Sequence, residues 1–381
     1  MKQHTRKDRQ RFNLTICGSF GFGNAGDEAV PLAISDLAEA LEIDVVIRVL
    51  GRFPRPALSQ VIGLASEDAE RRAELKGHPI IVAGGGVLEP RESCVLFRCV
   101  PYLQKSFAPT LALYGANVES GRKYNWRLRF RVKKLLRQFD RLYVRDVLGA
   151  DALRSLVPNK KVEVIGDSVL WMKPAPTVPS SIELVNPFIA VTFAKQWRND
   201  ANWYEWIAHQ LSRLAVEQKA AILFVPLTAF DVDIQEQQKV ATLIRRLNSA
   251  IDVICIEDQL EPRDISSILS RSMLTISMRL HGCVMAYAQK VPFVALAYHP
   301  KVLGFVKTVG WEKFCLPQTP PDYQSQGVYG YTFSDTKMAE IDLVKIALDA
   351  MEYSCFEKLE PLKKRLANAF LDIYSLYDDS N

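Results

Sequence analysis

Two of the five histidines stand in one short stretch, SMRLHGCVMAYAQKVPFVALAYHPK, from Ser277 to Lys301. Arg279 precedes His281 by two positions, and Lys301 follows His299 by two. An imidazole with an ordinary pKa titrates near neutrality, so His281 is expected to deliver or take a proton at physiological pH. Arginine forks onto carboxylate or phosphate, and lysine adds a compact positive charge. Together these residue types could move a proton on a bound anionic small molecule.

The elements around them would bring the charges together. Leu274-Thr275-Ile276 reads as a buried strand ending at Ser277, residues 282–289 as a helix and 291–297 as a second buried strand. Tyr298 to Lys301 then forms the loop at its end. In an open parallel sheet, ligands bind beyond the carboxyl ends of the strands. Both polar clusters fall at such ends, one strand-helix unit apart.

The same alternation runs along the chain. Strands are expected at 14–17, 44–50, 79–83, 110–114, 141–144 and 162–165. Helices are expected at 29–41, 124–139 and 147–156, with 54–77 mainly helical and charged. Residues 173–187 (KPAPTVPSSIELVNP) are rich in Pro and Ser and read as a linker. A second set follows, with strands at 188–193, 221–226 and 252–256, helices at 203–218, 234–248 and 262–270, a turn-rich loop at 317–332 and a helical pattern from 341. The expected fold class is α/β, two Rossmann-like doubly wound domains with an interdomain cleft, in a GT-B-like arrangement. The domains are 1–172, the linker 173–187, a second domain 188–340 and a helical segment 341–381.

Composition narrows the function. The chain has 381 residues, 48% hydrophobic and 24% charged, as in soluble globular proteins. A net charge of +5 suits an anionic substrate without demanding nucleic acid. Seven cysteines with no Cys-x-x-Cys pair give neither a disulfide framework nor a zinc cluster, and a reducing cytoplasm is the simplest setting. The basic N-terminus lacks the apolar core of a secretory signal, and no apolar run reaches the length of a membrane span.

The loop Gly18-Ser19-Phe20-Gly21-Phe22-Gly23-Asn24-Ala25-Gly26-Asp27-Glu28 follows a strand and opens a helix, which formally satisfies a dinucleotide-binding spacing. The acid expected at the end of the second strand is missing: Asp44 begins that strand, and Arg48, Gly51 and Arg52 close it. Asp27 and Glu28 would repel a pyrophosphate, so NAD is discounted and no cofactor is expected. Two roles stay open. Asn24, Asp27 and Glu28 could bond sugar hydroxyls, or form a tight turn with an acidic helix cap.

Gly-Asn-Ala-Gly-Asp-Glu at 23–28, the glycines at 84–86, Val144-Arg145-Asp146, Asp167, Arg279-Leu280-His281 and Val291-Pro292 leading to Tyr298-x-x-Lys301 occur in order. Together they resemble the polysaccharide pyruvyl transferases across about residues 14–305. The resemblance implies a GT-B-like fold and transfer of a pyruvyl group from phosphoenolpyruvate (PEP) onto sugar hydroxyls as a ketal, without a metal. It implies His281 as general acid, with Arg145, Arg279 and Lys301 holding the phosphate and carboxylate. The chain departs from the family pattern at Ala116 to Ser120 and at His299, where many members carry Asp; both bear on the acceptor. A nucleotide-sugar-dependent glycosyltransferase and a non-catalytic glycan-binding protein are the alternatives. No convincing nucleotide motif stands between 255 and 300.

Other candidates are weaker. Arg145 could instead pair with Asp146 or Asp167. Asp231 and Asp233 could be surface acids or sugar ligands. His299 reads as structural or as an acceptor contact. The segment 122–138 (RKYNWRLRFRVKKLLRQ) is a basic helix with Leu128, Val132, Leu135 and Leu136 on one face and Trp126 and Phe130 among cations on the other. That outer face suits anionic lipid headgroups, in keeping with a lipid-linked saccharide acceptor and a peripheral position at the inner face of the membrane. A solvated charged face is the plainer alternative. Nucleic acid is disfavoured because no binding motif accompanies the cluster.

Overall fold

A strand covered by helices on both faces must be apolar on both, and the central strands here are. The computed structural model describes residues 11–51, 61–63, 73–88, 95–99, 102–119, 126–194, 201–228, 231–316, 340–353 and 355–378. Strands β1 (Phe12–Cys17), β2 (Val45–Gly51), β3 (Val61–Gly63), β4 (Ile80–Val82), β5 (Leu111–Ala116), β6 (Arg141–Val144) and β7 (Glu163–Val164) make a seven-stranded sheet in the order β3-β2-β1-β4-β5-β6-β7. Strands β8 (Phe188–Thr192), β9 (Ala221–Phe224), β10 (Val253–Cys255), β11 (Leu274–Ser277), β12 (Phe293–Leu296) and β13 (Cys315–Leu316) make a six-stranded sheet in the order β10-β9-β8-β11-β12-β13. Every pairing within both sheets is parallel. The direction of winding reverses between β1 and β4 and between β8 and β11, and such a switch point opens a crevice.

The first domain carries helices α1 (Ala25–Ala40), α2 (Val95–Arg98), α3 (Trp126–Leu136) and α4 (Val147–Leu156). The second carries α5 (Ala201–Gln218), α6 (Asp231–Leu247), α7 (Pro262–Leu269), α8 (Leu280–Ala288) and α9 (Pro300–Val309). Residues Leu280 to Tyr287 of α8 are all buried. Such a helix must be packed on every side, and α8 touches α1 and the 3₁₀ turn Ser168–Trp171 of the first domain as well as its own sheet.

The two domains are bolted at several points. The Ala25 amide donates to the Leu227 carbonyl at 2.9 Å. Arg263 Nη1 and Nη2 fork onto the Asp36 carboxylate at 2.8 and 2.7 Å. The Val147 amide donates to Thr308 Oγ1 at 3.2 Å. After α10 (Leu343–Glu352), which packs on α5 and β12, helix α11 (Leu359–Asp378) crosses back to the first sheet. There Tyr114 donates to the Leu366 carbonyl at 2.8 Å, and Arg141 and Tyr143 both hold Asp372, at 2.6 and 2.8 Å.

Two local expectations change, and a third lies outside the described residues. Within 54–77, Val61-Ile62-Gly63 is an edge strand rather than helix, because its two β-branched residues extend the sheet beside Val49–Gly51; residues 52–60 and 64–72 lie outside those described. Tyr298 to Lys301 is loop only as far as His299, since Pro300 starts α9 at the position where proline suits a helix. The loop at 317–332 lies outside the described residues.

Candidate functional site

The turn after β11 sets the site. Ser277 Oγ lies 2.6 Å from Thr192 Oγ1 at the end of β8 and donates to the Arg279 carbonyl at 2.6 Å. A Cβ on Gly282 would come 2.3 Å from Ser277 Oγ, so only glycine lets α8 start this close to the strand. Arg279 thereby becomes the N-cap of α8, and His281 falls in its first turn.

The imidazole faces the first domain. A Cβ on Gly26 would lie 2.1 Å from His281 Nδ1, so the start of α1 rests directly on the ring. The third glycine of the dinucleotide-like spacing therefore makes room for an imidazole. His281 Nε2 is buried and 3.6 Å from Asp167 Oδ2, without a hydrogen-bond partner. The residue is only 7% exposed. Burial pushes its pKa down to about 3; Asp27 offsets part of this, while Arg145, Lys301 and Arg279 push it further down. The expected imidazole titrating near neutrality is thus overturned for the protein without substrate: the ring is neutral at physiological pH.

Arg279 leans onto the second domain's α6. Its Nε donates to Asp233 Oδ2 at 3.1 Å, and its Nη2 donates to the other carboxylate oxygen. Asp233 is fully buried, so it is neither a surface acid nor a sugar ligand but the anchor of Arg279. The side chain of Asp231 is outside the described residues. The Arg279 side chain stays 20% exposed, which leaves it open to a ligand.

Arg145 is placed differently from expectation. It is 1% exposed. Nε donates to Asp146 Oδ2 at 3.2 Å, Nη2 donates to Asn117 Oδ1 at 2.5 Å, and Nη1 is 3.8 Å from Asp167 Oδ2. The reading of Arg145 as a direct ligand of the substrate phosphate or carboxylate is corrected: the pairing with Asp146 and Asp167, open in the sequence, is the one formed. Its guanidinium neutralises buried acids behind the imidazole. Asp146 also caps α4 by accepting from the Gly149 amide at 2.8 Å. Burial raises the Asp167 carboxyl, and Arg145 and the Val169 amide lower it in part.

Lys301 sits in the first turn of α9, partly exposed, with Nζ 5.9 Å from the centre of the Tyr298 ring. Burial alone would raise the Tyr298 hydroxyl, but the Lys301 and Arg279 cations outweigh it and hold it below its ordinary value. His299 is structural: its Nδ1 accepts from the Lys301 amide at 3.3 Å and caps α9.

The acidic loop is largely self-satisfied. Asn24 Oδ1 accepts from the Gly26 amide at 3.1 Å, and its Nδ2 donates to Asp27 Oδ2 at 2.7 Å. Asp27 Oδ1 accepts from the Gly85 amide at 3.0 Å, and Glu28 Oε1 accepts from the Gly23 amide at 3.1 Å. Of the two roles left open, the tight turn with an acidic cap describes these bonds, and Glu28 is buried within it. Asp27 additionally supplies negative charge to His281.

The structure thus brings His281, Arg279, Lys301 and Asp27 to one interdomain rim, with Arg145 and Asp167 behind. Sequence reasoning left Asp233 open between a surface acid and a sugar ligand and met Tyr298 only within the Tyr298-x-x-Lys301 motif, without giving either the role it has here. Each follows the carboxyl end of a strand of the second sheet, where ligand-facing residues gather. Among the described residues no group of His, Cys, Asp and Glu is arranged to hold a metal ion.

This order of features agrees with a family model described as polysaccharide pyruvyl transferase, which matches residues 24–300. The chain belongs to the polysaccharide pyruvyl transferase family. No curated protein matches it. Solved structures match in fold. A putative UDP-N-acetylglucosamine 2-epimerase from Listeria monocytogenes shares 13% identity over 97% of this chain and 98% of its own, with a TM-score of 0.60. The Neisseria meningitidis UDP-GlcNAc 2-epimerase bound to UDP-GlcNAc shares 12% identity over 95% and 99%, with a TM-score of 0.55. The pneumococcal O-GlcNAc transferase GtfA in complex with UDP and GlcNAc shares 10% over 97% and 99%, with a TM-score of 0.57. At these identities the likeness establishes the GT-B-like, two-domain fold of this family member and nothing about its substrates.

Proposed function

We propose that this family member moves the enolpyruvyl-derived group of PEP onto hydroxyls of a saccharide, forming a ketal and releasing phosphate. The observation that carries the reading is the meeting of a buried, neutral imidazole with Arg279 and Lys301 at one interdomain rim. PEP carries about three negative charges at neutral pH. Arg279 and Lys301 would take its phosphate and carboxylate. Their charges, which now oppose protonation of the ring, would then be neutralised, and a trianion beside His281 would raise its pKa towards neutrality.

The protonated ring then gives its proton to the methylene carbon of PEP. The adjacent carbon gains oxocarbenium character, and a sugar hydroxyl attacks it while losing its proton. The C–O bond to phosphate breaks, phosphate leaves with that electron pair, and a second hydroxyl closes the ketal. One proton has gone to carbon and two have left the hydroxyls, so the net product is a ketal plus phosphate carrying one further proton. His281, neutral after the first step, can accept a hydroxyl proton. Asp167, 3.6 Å from Nε2 and near Arg145, faces the ring and would accept a hydrogen bond from Nε2 once the imidazole is protonated and draws closer. The side chains supply the positive charge, and the reading calls for no metal or organic cofactor. PEP is a cytoplasmic metabolite, and cytoplasmic action is part of the proposal.

Incubation of the full chain with PEP and a panel of saccharides tests it. The expected result is phosphate release that depends on the acceptor and matches, mole for mole, a pyruvylated product. Turnover of a UDP-sugar with no consumption of PEP would overturn it.

A further inference from the structure

Helix α3 presents two sharply different faces. At about 100° per residue, buried Leu128, Val132, Leu135 and Leu136 define an inner face. The opposite pole carries Trp126, Phe130, Lys133, Lys134 and Arg137, flanked by Arg127, Arg129 and Arg131. Trp126 is 75% and Phe130 66% exposed, the highest values among the large apolar side chains of the described residues. Soluble proteins seldom leave two neighbouring aromatic rings in water without a use for them. Residues 126–137 hold six cations and no acid, a dense local run of positive charge in a chain whose net charge is +5.

The position suits a role at the site. The helix of a doubly wound unit runs antiparallel to its strands, so the Trp126 end of α3 lies on the edge where β5 finishes. Asn117, just past β5, is the residue that holds Arg145. Along the other end, a groove of about 650 Å³ between α3 and the 103–106 segment, with Phe97 of α2 beside it, carries the cations Lys105, Arg131 and Lys134. No helix among the described residues is long and apolar enough to cross a membrane, so contact with a bilayer would have to be peripheral.

We infer that the outer face of α3 docks this protein onto an anionic lipid surface. The cations draw it to phosphate headgroups, and Trp126 and Phe130 insert at the headgroup boundary, where aromatic rings are stable. Neither force holds a protein to a membrane well alone, and the combination does. Nucleic acid fits less well, because the two aromatics extend from a convex helix rather than line a channel on which bases could stack. The inference deepens the proposed function by bringing the rim of the cleft to acceptors displayed on a membrane. It is read without turnover, so it and the transfer chemistry can fail separately.

The test is co-sedimentation of the full chain with vesicles of phosphatidylcholine alone and of phosphatidylcholine mixed equally with phosphatidylglycerol. Binding is expected only to the mixed vesicles and to weaken as salt rises. W126A/F130A and K133E/K134E/R137E should each lower the bound fraction at least about tenfold. All of these side chains lie on the outer face of the helix, so the variants should keep the parent's circular dichroism and its phosphate release with a water-soluble acceptor. Absence of binding to the mixed vesicles, equal binding to neutral ones, or indifference to both variants would overturn the inference. So would tighter binding to a single-stranded RNA oligonucleotide that the same variants abolish, which would make nucleic acid the partner.

Discussion

Replacing His281 by alanine lowers kcat for PEP-dependent phosphate release at least about a thousandfold, within the range that a positioned acid contributes. The KM for PEP changes little, because Arg279 and Lys301, which carry the charge complementary to PEP, remain. Stability changes little as well: the variant loses packing but also removes a buried Nε2 that has no hydrogen-bond partner. His281→Gln, which preserves most of the volume, should be as inactive as alanine. Steady-state kinetics beside a thermal melt separates these effects. Retention of more than about a tenth of the parent rate in both variants would remove the ring from the chemistry.

Arg145→Met acts on the fold first. The methionine fills similar space but leaves the Asp146 and Asp167 carboxylates buried without their cation. Removing one partner of a buried pair costs about 3–5 kcal/mol. For a domain of this size each kcal/mol moves Tm by about 2–4 °C, so a fall on the order of 10 °C is expected. Lys301→Met, at a partly exposed cation, should leave Tm nearly unchanged and raise the KM for PEP instead. If Arg145→Met kept its Tm and raised KM as Lys301→Met does, the arginine would be a direct ligand after all.

These two residues show what the sequence made legible. The fold was readable because most strands are short apolar runs, as a parallel sheet covered on both faces requires, while the edge strands β3 and β13, three and two residues long, were too short to show it. His281, Arg279 and Lys301 were readable because they stand where strands end. Partnership was not. Nothing in Val144-Arg145-Asp146 decides whether the guanidinium faces a cleft or buried acids; that depends on Asn117 and Asp167, which come from other strands. Asp233, just beyond a strand end, could have been a surface acid or a sugar ligand, yet it is buried because α6 turns it onto Arg279. Gly26 read as the last glycine of a loop that could bond sugar hydroxyls or form a tight turn, and only the approach of α8 from the second domain shows that its missing Cβ accommodates a ring. The depressed pKa of His281 has the same origin, since it comes from burial between two domains.

The central claim is that substrate charge recharges this imidazole. It is tested most directly by ¹⁵N NMR of histidine-labelled protein at neutral pH, with His281→Gln assigning the resonance. Without ligand the ring should be neutral, in keeping with a pKa of about 3. Saturating PEP should move its nitrogens to the protonated position, and inorganic phosphate alone should do so less completely. An imidazole that stays neutral with PEP bound, or a protein that does not bind PEP, would contradict the account.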